Sequence, residues 1–186
     1  MTDKNERPAV IVLVGLPASG KSTARAVATE QGASVDSFQY STDDIVERMA
    51  AEQGVNYDDV WSDYIGEATA EADKMVTEAV KNEQGVIWDQ TNMSIKKRRK
   101  IINKFGNEYR KECICILPPF TAEQQLELER RLASRPGKKI PAFVMKSMLE
   151  SFQLPSMNEG FNRVMYFDIY GNMIDRNTAA ELFGAG

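Results

Sequence analysis

The segment Gly15-Leu16-Pro17-Ala18-Ser19-Gly20-Lys21-Ser22 has the spacing G-x-x-x-x-G-K-S, and these residue types suit one task, the holding of a chain of phosphates. The glycines let the backbone curl until its N–H groups point inward at phosphate oxygens. A helix that starts at the end of the loop adds the positive end of its dipole beneath them. Lys21 is then placed to reach the β- and γ-phosphates, and the Ser22 hydroxyl to ligate Mg²⁺. The chemistry this set prepares is phosphoryl transfer from ATP.

A phosphate cradle leaves the acceptor open, and the carboxylates that follow speak to it. Asp43 stands at the start of the helix after the second strand, at the carboxyl edge of a parallel sheet, where ligands bind. A carboxylate there can accept the proton of an attacking hydroxyl and hold it in line with phosphorus. Ordinary helix capping explains an Asp in a first turn equally well, and Asp44 competes for either role. Asp89 ends the third apolar strand at the same edge, placed either to hold Mg²⁺ through water or to contact the acceptor. Thr91 and Asn92 beside it suit acceptor contacts, or plain turn chemistry. Arg130-Arg131 and Arg135 through Lys139 form a basic helix end and a Gly-containing loop. That is the make-up of a lid able to neutralise charge on a transferring phosphate, or of a solvated helix end favoured by the dipole. Lys96-Lys97-Arg98-Arg99-Lys100 reads as a solvated face or as a contact to acceptor phosphates.

The elements that must position these residues follow from apolar pattern and caps. Ala9–Val14 is a β-branched run suited to a strand buried on both faces. A helix is expected from Lys21 to about Gln31, stopped by Gly32. A short strand at Phe38–Ser41 precedes a helix with Thr42 as its N-cap. Tyr57 to about Asn82 reads as one long helix, because Val60, Tyr64, Ala68, Ala72, Val76 and Ala79 recur at three- and four-residue steps. Val86-Ile87-Trp88 is a third strand, followed by a basic helix (94–105), a strand (112–117), a helix capped by Thr121, a helix opened by Pro141, and a last strand (163–169). Strands alternating with helices predict an α/β fold, a P-loop NTPase of kinase type with a central parallel sheet flanked by helices and an Arg-bearing lid. The 186 residues predict one domain, with the lid at about 130–141.

Composition narrows the chemistry further. There is no histidine, which removes Ser-His and Cys-His nucleophile pairs and His-ligated zinc. The two cysteines, Cys113 and Cys115, share one strand face and read as reduced core thiols. No apolar run approaches the roughly 20 residues of a membrane span, and the polar start carries no signal-peptide pattern, so a cytoplasmic protein without a membrane partner is expected. Net charge is −4, unevenly spread. Residues 2–93 carry 7 basic and 17 acidic side chains, and residues 94–150 carry 14 and 6. The basic middle suits a polyphosphate or polynucleotide. The acidic outer face of the long helix leaves solubility and a homo-oligomer contact both open.

Taken together, these segments resemble the 5′-hydroxyl polynucleotide kinase domain of the phage end-healing enzymes, from about Val10 to Leu154. The matching residues are Gly15–Thr23, Ser41-Thr42-Asp43-Asp44, Asp89 with Thr91-Asn92 and the Arg98-Arg99 pair, and Arg131 to Pro141 leading into Met145–Ser151. The resemblance implies that Gly15 through Thr23 contact ATP and that Asp43 is the general base toward a 5′-OH of DNA or RNA. It also implies that Arg135 is the lid arginine on the donor phosphates, with Arg131 a second one near the nucleotide. The chain departs from that pattern in three places. Val46 stands where the family has an acceptor-binding arginine, with Arg48 the nearest substitute. Gln90 is an extra residue between Asp89 and Thr91. Phe167 to Asn172 faintly echoes the opening of a phosphatase domain, but Tyr170 replaces its second carboxylate. With only 14 residues after Asn172, a closing strand and turn are expected there. The expected activity is ATP- and Mg²⁺-dependent phosphorylation of a polynucleotide 5′-hydroxyl, by direct in-line transfer. The alternatives are a kinase for a small hydroxyl acceptor (nucleoside, sugar or antibiotic) and a non-transferring ATP-binding switch.

Overall fold

A computed structural model describes residues 7–30, 37–135 and 138–184. The frame begins with β1 (Ala9–Val14), in which all six residues are buried. Its side chains alternate between two core clusters. Val10, Val12 and Val14 join Trp88, Phe105 and Leu128 on one side. Ala9, Ile11 and Leu13 join Ile87, Ile114 and Ile116 on the other. A strand covered on both faces has no use for polar alternation, which explains its uninterrupted apolar run.

Around β1 the sheet is ordered β2-β3-β1-β4-β5-β6, with β2 (Phe38–Tyr40), β3 (Val86–Asp89), β4 (Arg110–Ile116), β5 (Arg163–Phe167) and β6 (Met173–Ile174). The first five are parallel. β6 runs antiparallel, pairing Met173 with Phe167 and Ile174 with Tyr166. The expected parallel sheet is therefore present with one short antiparallel edge. A turn held by Asp168 makes that edge: its carboxylate accepts from the backbone N–H groups of Tyr170 and Asn172, each at 2.9 Å. The closing strand and turn expected at Phe167–Asn172 are thus found, and β6 follows them.

Among the described residues seven α-helices cover the sheet: α1 (Lys21–Glu30), α2 (Thr42–Gln53), α3 (Tyr57–Lys81), α4 (Ile95–Ile102), α5 (Ala122–Ala133), α6 (Ala142–Glu150) and α7 (Arg176–Phe183). Gln31 and Gly32, the expected end of α1, lie outside the described residues, as do Pro136 and Gly137 of the basic loop. The N-cap of α2 is Ser41 and not Thr42: the Ser41 Oγ accepts from the Asp44 N–H, so the helix begins one residue earlier. Ser94 and Thr121 cap α4 and α5 in the same manner. α7 was not apparent in the sequence, although Asp175 caps it with bonds to the N–H groups of Asn177 and Thr178. Cys113 and Cys115 are free and buried on one face of β4, and burial pushes both thiols well above their ordinary pKa. Among the described residues no helix is long and apolar enough to cross a membrane.

The site depends most on register. Leu13 of β1 pairs with Asp89 of β3, so the two strands end at one edge. The Gly15 N–H then donates to the Thr91 carbonyl at 3.0 Å, and the two loops leave the sheet side by side.

Candidate active site

The loop between β1 and α1 curls because its backbone takes conformations that side chains resist. Gly15 has φ +155°, and a Cβ there would stand 2.7 Å from the Ser19 Oγ and 3.2 Å from Ile116. Gly20 has φ +108° and opens toward the Arg131 guanidinium. Ser19 is buried, and its hydroxyl has no hydrogen-bond partner among the described residues. A buried orphan hydroxyl in this loop fits a ligand rich in acceptor oxygens. Ser22 and Thr23 are exposed in the first turn of α1, where a hydroxyl and the helix dipole suit phosphate oxygens and a hard cation. The residues present therefore fit a nucleoside triphosphate with Mg²⁺.

Lys21 curls back over this loop, donating to the carbonyls of Gly15 at 3.1 Å and Leu16 at 2.8 Å. Burial lowers its pKa to about 8, Asp89 and then Asp43 pull it back up, and Arg135 and Lys97 press it down. Five charged side chains from five separate parts of the chain thus share one field. Lys21 comes from α1, Asp43 from α2, Asp89 from the end of β3, Lys97 from α4 and Arg135 from the segment after α5. Desolvation likewise lowers the pKa of Lys97, with Asp43 opposing it.

All of these but Lys97 border a cleft of about 300 Å³, walled by the phosphate loop on one side and by Asp43, Asp44 and Glu47 on the other. Asp89, Thr91 and Arg135 complete it, so the expected phosphate, base, strand-end and lid residues meet in one place. A second hollow of about 260 Å³ lies on the far side of Gly20, against Thr23, Ile116 and the Phe167–Gly171 turn. Arg131 lines this hollow rather than the first, held by Glu127 at 2.6 Å and by the Ile169 carbonyl at 3.0 Å. The two arginines expected together in a lid thus line different hollows.

Each carboxylate of the α2 turn has its own tether. The Tyr57 hydroxyl donates to Asp43 Oδ1 at 3.1 Å, and Gln39 Nε2 donates to Asp44 Oδ2 at 2.8 Å. The extra residue Gln90 bridges β3 and α2: it accepts from the Trp88 indole at 3.3 Å and donates to the Thr42 hydroxyl at 3.0 Å.

Two expected acceptor contacts are corrected. Asn92 is wholly buried, and its amide donates to the carbonyls of Leu13 at 2.7 Å and Gln90 at 3.2 Å. It ties the ends of β1 and β3 together and is not presented to a ligand. Arg48 is exposed and spent on two glutamates, Glu71 at 2.6 Å and Glu52 at 3.1 Å, outside the cleft lining. Val46 is fully buried, so the position where the resembled family carries arginine faces the core here.

The basic helix also yields a correction. Arg98 is fully buried, forming a two-pronged pair with Glu159 at 2.7 and 2.8 Å and donating to the carbonyls of Asn92 and Met93. Sequence reading took Arg98 with its basic neighbours, although its place in the stripe Ile95, Arg98, Ile101, Ile102 marks it as inward-facing. Lys97 and Lys138 were read only as members of basic runs, and Tyr57 carried no local signal at all.

Comparison with known proteins agrees with this geometry. Residues 10–155 match the model of the AAA domain family AAA_33. The bifunctional polynucleotide phosphatase/kinase of Schizosaccharomyces pombe is 28% identical over 87% of this chain and 34% of its own length. The L-seryl-tRNA(Sec) kinase of Methanococcus maripaludis is 30% identical over 78% of this chain and 53% of its own. The chain thus spans about half the length, or less, of the curated relatives it matches. Among solved structures, a chain of the Pnkp1/Rnl/Hen1 RNA repair complex aligns with TM-score 0.57, 20% identity, and 94% and 50% coverage. A gluconokinase from Sinorhizobium meliloti aligns with TM-score 0.50, 17% identity, and 94% and 87% coverage. With its phosphate loop, its sheet order and a family match over most of its length, the chain belongs to the AAA_33 family of P-loop kinase domains.

Proposed function

We propose that this protein transfers the γ-phosphoryl group of ATP to the 5′-hydroxyl end of a polynucleotide, with Asp43 as general base. The observation that carries the reading is the convergence of Lys21, Asp43, Asp89 and Arg135 on one cleft beside the phosphate loop. The triphosphate lies along the loop amides and the start of α1, and its nucleoside enters the chamber lined by Thr23, Ile116 and Arg131. The acceptor hydroxyl approaches from α2. Asp43 takes its proton as the oxygen–phosphorus bond forms, and the bond from γ-phosphorus to the bridging oxygen breaks, leaving ADP. Lys21 and Arg135 stabilise the charge spread over the transferring group, in a fixed setting that needs no reorganisation. Ser22 and Asp89 are the residues that would hold Mg²⁺, which when bound neutralises charge on the β- and γ-phosphates.

A second reading has its own support. With Val46 in the core and Arg48 paired to glutamates, no arginine among the described residues stands on the α2 side of the cleft for an acceptor phosphate. A hydroxyl without a neighbouring phosphate, on a nucleoside, a sugar or an aminoacyl group, fits that side equally well. Transfer from γ-labelled ATP to a 5′-OH oligonucleotide, run beside a panel of such small acceptors, separates the two. Label on the oligonucleotide end that falls about 10²–10⁴-fold in Asp43→Asn supports the first reading. ATP consumed with label only on a small acceptor overturns it.

A further inference from the structure

The long helix α3 had no role in the sequence reading, yet its first residue touches the proposed base. We propose that Tyr57 is a positioning residue for phosphoryl transfer, its hydroxyl fixing one oxygen of Asp43 while its ring seats Lys138 of the basic loop. This inference rests on the reading of Asp43 as general base.

The Tyr57 hydroxyl donates to Asp43 Oδ1 at 3.1 Å, so one carboxylate oxygen is occupied and Oδ2 is left for the acceptor. A base that takes a proton from a hydroxyl in line with phosphorus must hold one orientation, and an Asp side chain in an exposed first helical turn has rotational freedom to lose. The phenol is well suited to supply the anchor. Burial and the Asp43 charge hold its pKa well above the ordinary tyrosine value, so it remains a donor at all working pH. The contact joins residues 14 apart, across the turn between α2 and α3, and Gly54 makes that turn possible with φ +67°.

The other face of Tyr57 carries a cation. Lys138 Nζ lies 4.7 Å from the ring centroid and is also paired with Glu47 of α2. Beside it, the Lys139 N–H donates to Asp58 Oδ2 at 3.0 Å, so two successive residues of the basic loop dock on the first turn of α3. A lysine over an aromatic face is attracted by its quadrupole, and the contact gains when partly withdrawn from water. The base and the basic loop that borders the donor phosphates therefore share one tyrosine. What looks like a long solvated helix ends as a bracket between the two halves of the reaction.

The test is a two-background cycle read as kcat, KM for ATP and melting temperature, with whichever acceptor proves active. Tyr57→Phe keeps the ring and removes the hydroxyl, and it is expected to lower kcat about tenfold with unchanged KM for ATP and unchanged melting temperature. In an Asp43→Glu background, where the longer side chain carries the carboxylate past the phenol, the same change is expected to cost less than twofold. A wild-type kcat in Tyr57→Phe overturns the proposal, and so does an equal loss in both backgrounds, which marks a general structural role. Full activity in Asp43→Asn overturns the base reading itself, whatever Tyr57 does.

Discussion

Lys21 sits at the mouth of the phosphate loop as a cation whose hold on its proton is weakened by burial, with a pKa near 8 against an ordinary 10.5. The sign of the consequence follows. Between about pH 8 and 10.5 the folded protein without nucleotide has lost this proton while the unfolded chain keeps it, so stability rises with pH across that window. A bound triphosphate reverses the bias, because negative phosphates restore the charged form. Nucleotide binding at pH 8.5 to 9 is therefore expected to take up a proton, seen as a dependence of calorimetric heat on the buffer's ionisation enthalpy. Lys21→Ala should abolish the uptake; an uptake that persists in the variant would place the titrating group elsewhere. At this scale much of the cleft was legible. The phosphate loop declares itself by spacing, and Asp43, Asp89 and Arg135 reach the cleft from the positions relative to strands and caps that made them candidates. Tyr57 was not legible, because it matters only through contacts to Asp43 and Lys138, both distant in the chain. Asn92 and Arg48 were misplaced for a related reason: polarity shows that a side chain needs partners, not whether protein or ligand supplies them.

Elements in this fold are joined less by their own propensities than by a few buried polar links. α4 is the clearest case. Its buried residues are Ile101, Ile102 and Arg98, and the guanidinium spans from Glu159 to the carbonyls of Asn92 and Met93. Glu159 in turn closes a capping box with Ser156 at the short 3-10 helix Met157–Glu159. Through Asn92 the same network reaches the Leu13 carbonyl near the end of β1, two residues before the phosphate loop. Truncating one member of such a pair leaves the other charge buried without compensation, at a cost of about 3–5 kcal/mol. Arg98→Ala should lose about that much in urea unfolding, and Arg99→Ala, on the exposed face, less than about 0.5 kcal/mol. Equal effects would refute the assignment. Strand and helix existence was readable from apolar periodicity, down to the ends of β1. β6 and α7 escaped it because a two-residue strand and an eight-residue helix offer too little period to recognise.

Across the whole molecule the sheet order puts β1 between β3 and β4, so that loops from both halves of the sequence open on one edge. The acidic first half supplies Asp43, Asp44, Glu47 and Asp89 to the cleft, and the basic middle supplies Arg135 and Lys138. The charge asymmetry seen along the chain thus brings both signs of charge to one cleft. The position of the two cysteines has a further use. Both lie on β4, next to β1 at the centre of the sheet, and a thiol reagent can reach them only when that centre opens. The chain thus carries its own clock for opening events, readable without any engineered probe. With ATP and Mg²⁺ at a hundredfold excess over Kd, linkage adds about 2.7 kcal/mol to the closed form, so labelling should slow about a hundredfold. Labelling that ignores nucleotide would mean that the strands beneath the phosphate loop part while the loop still grips its ligand, making binding and sheet integrity separable in a single tube.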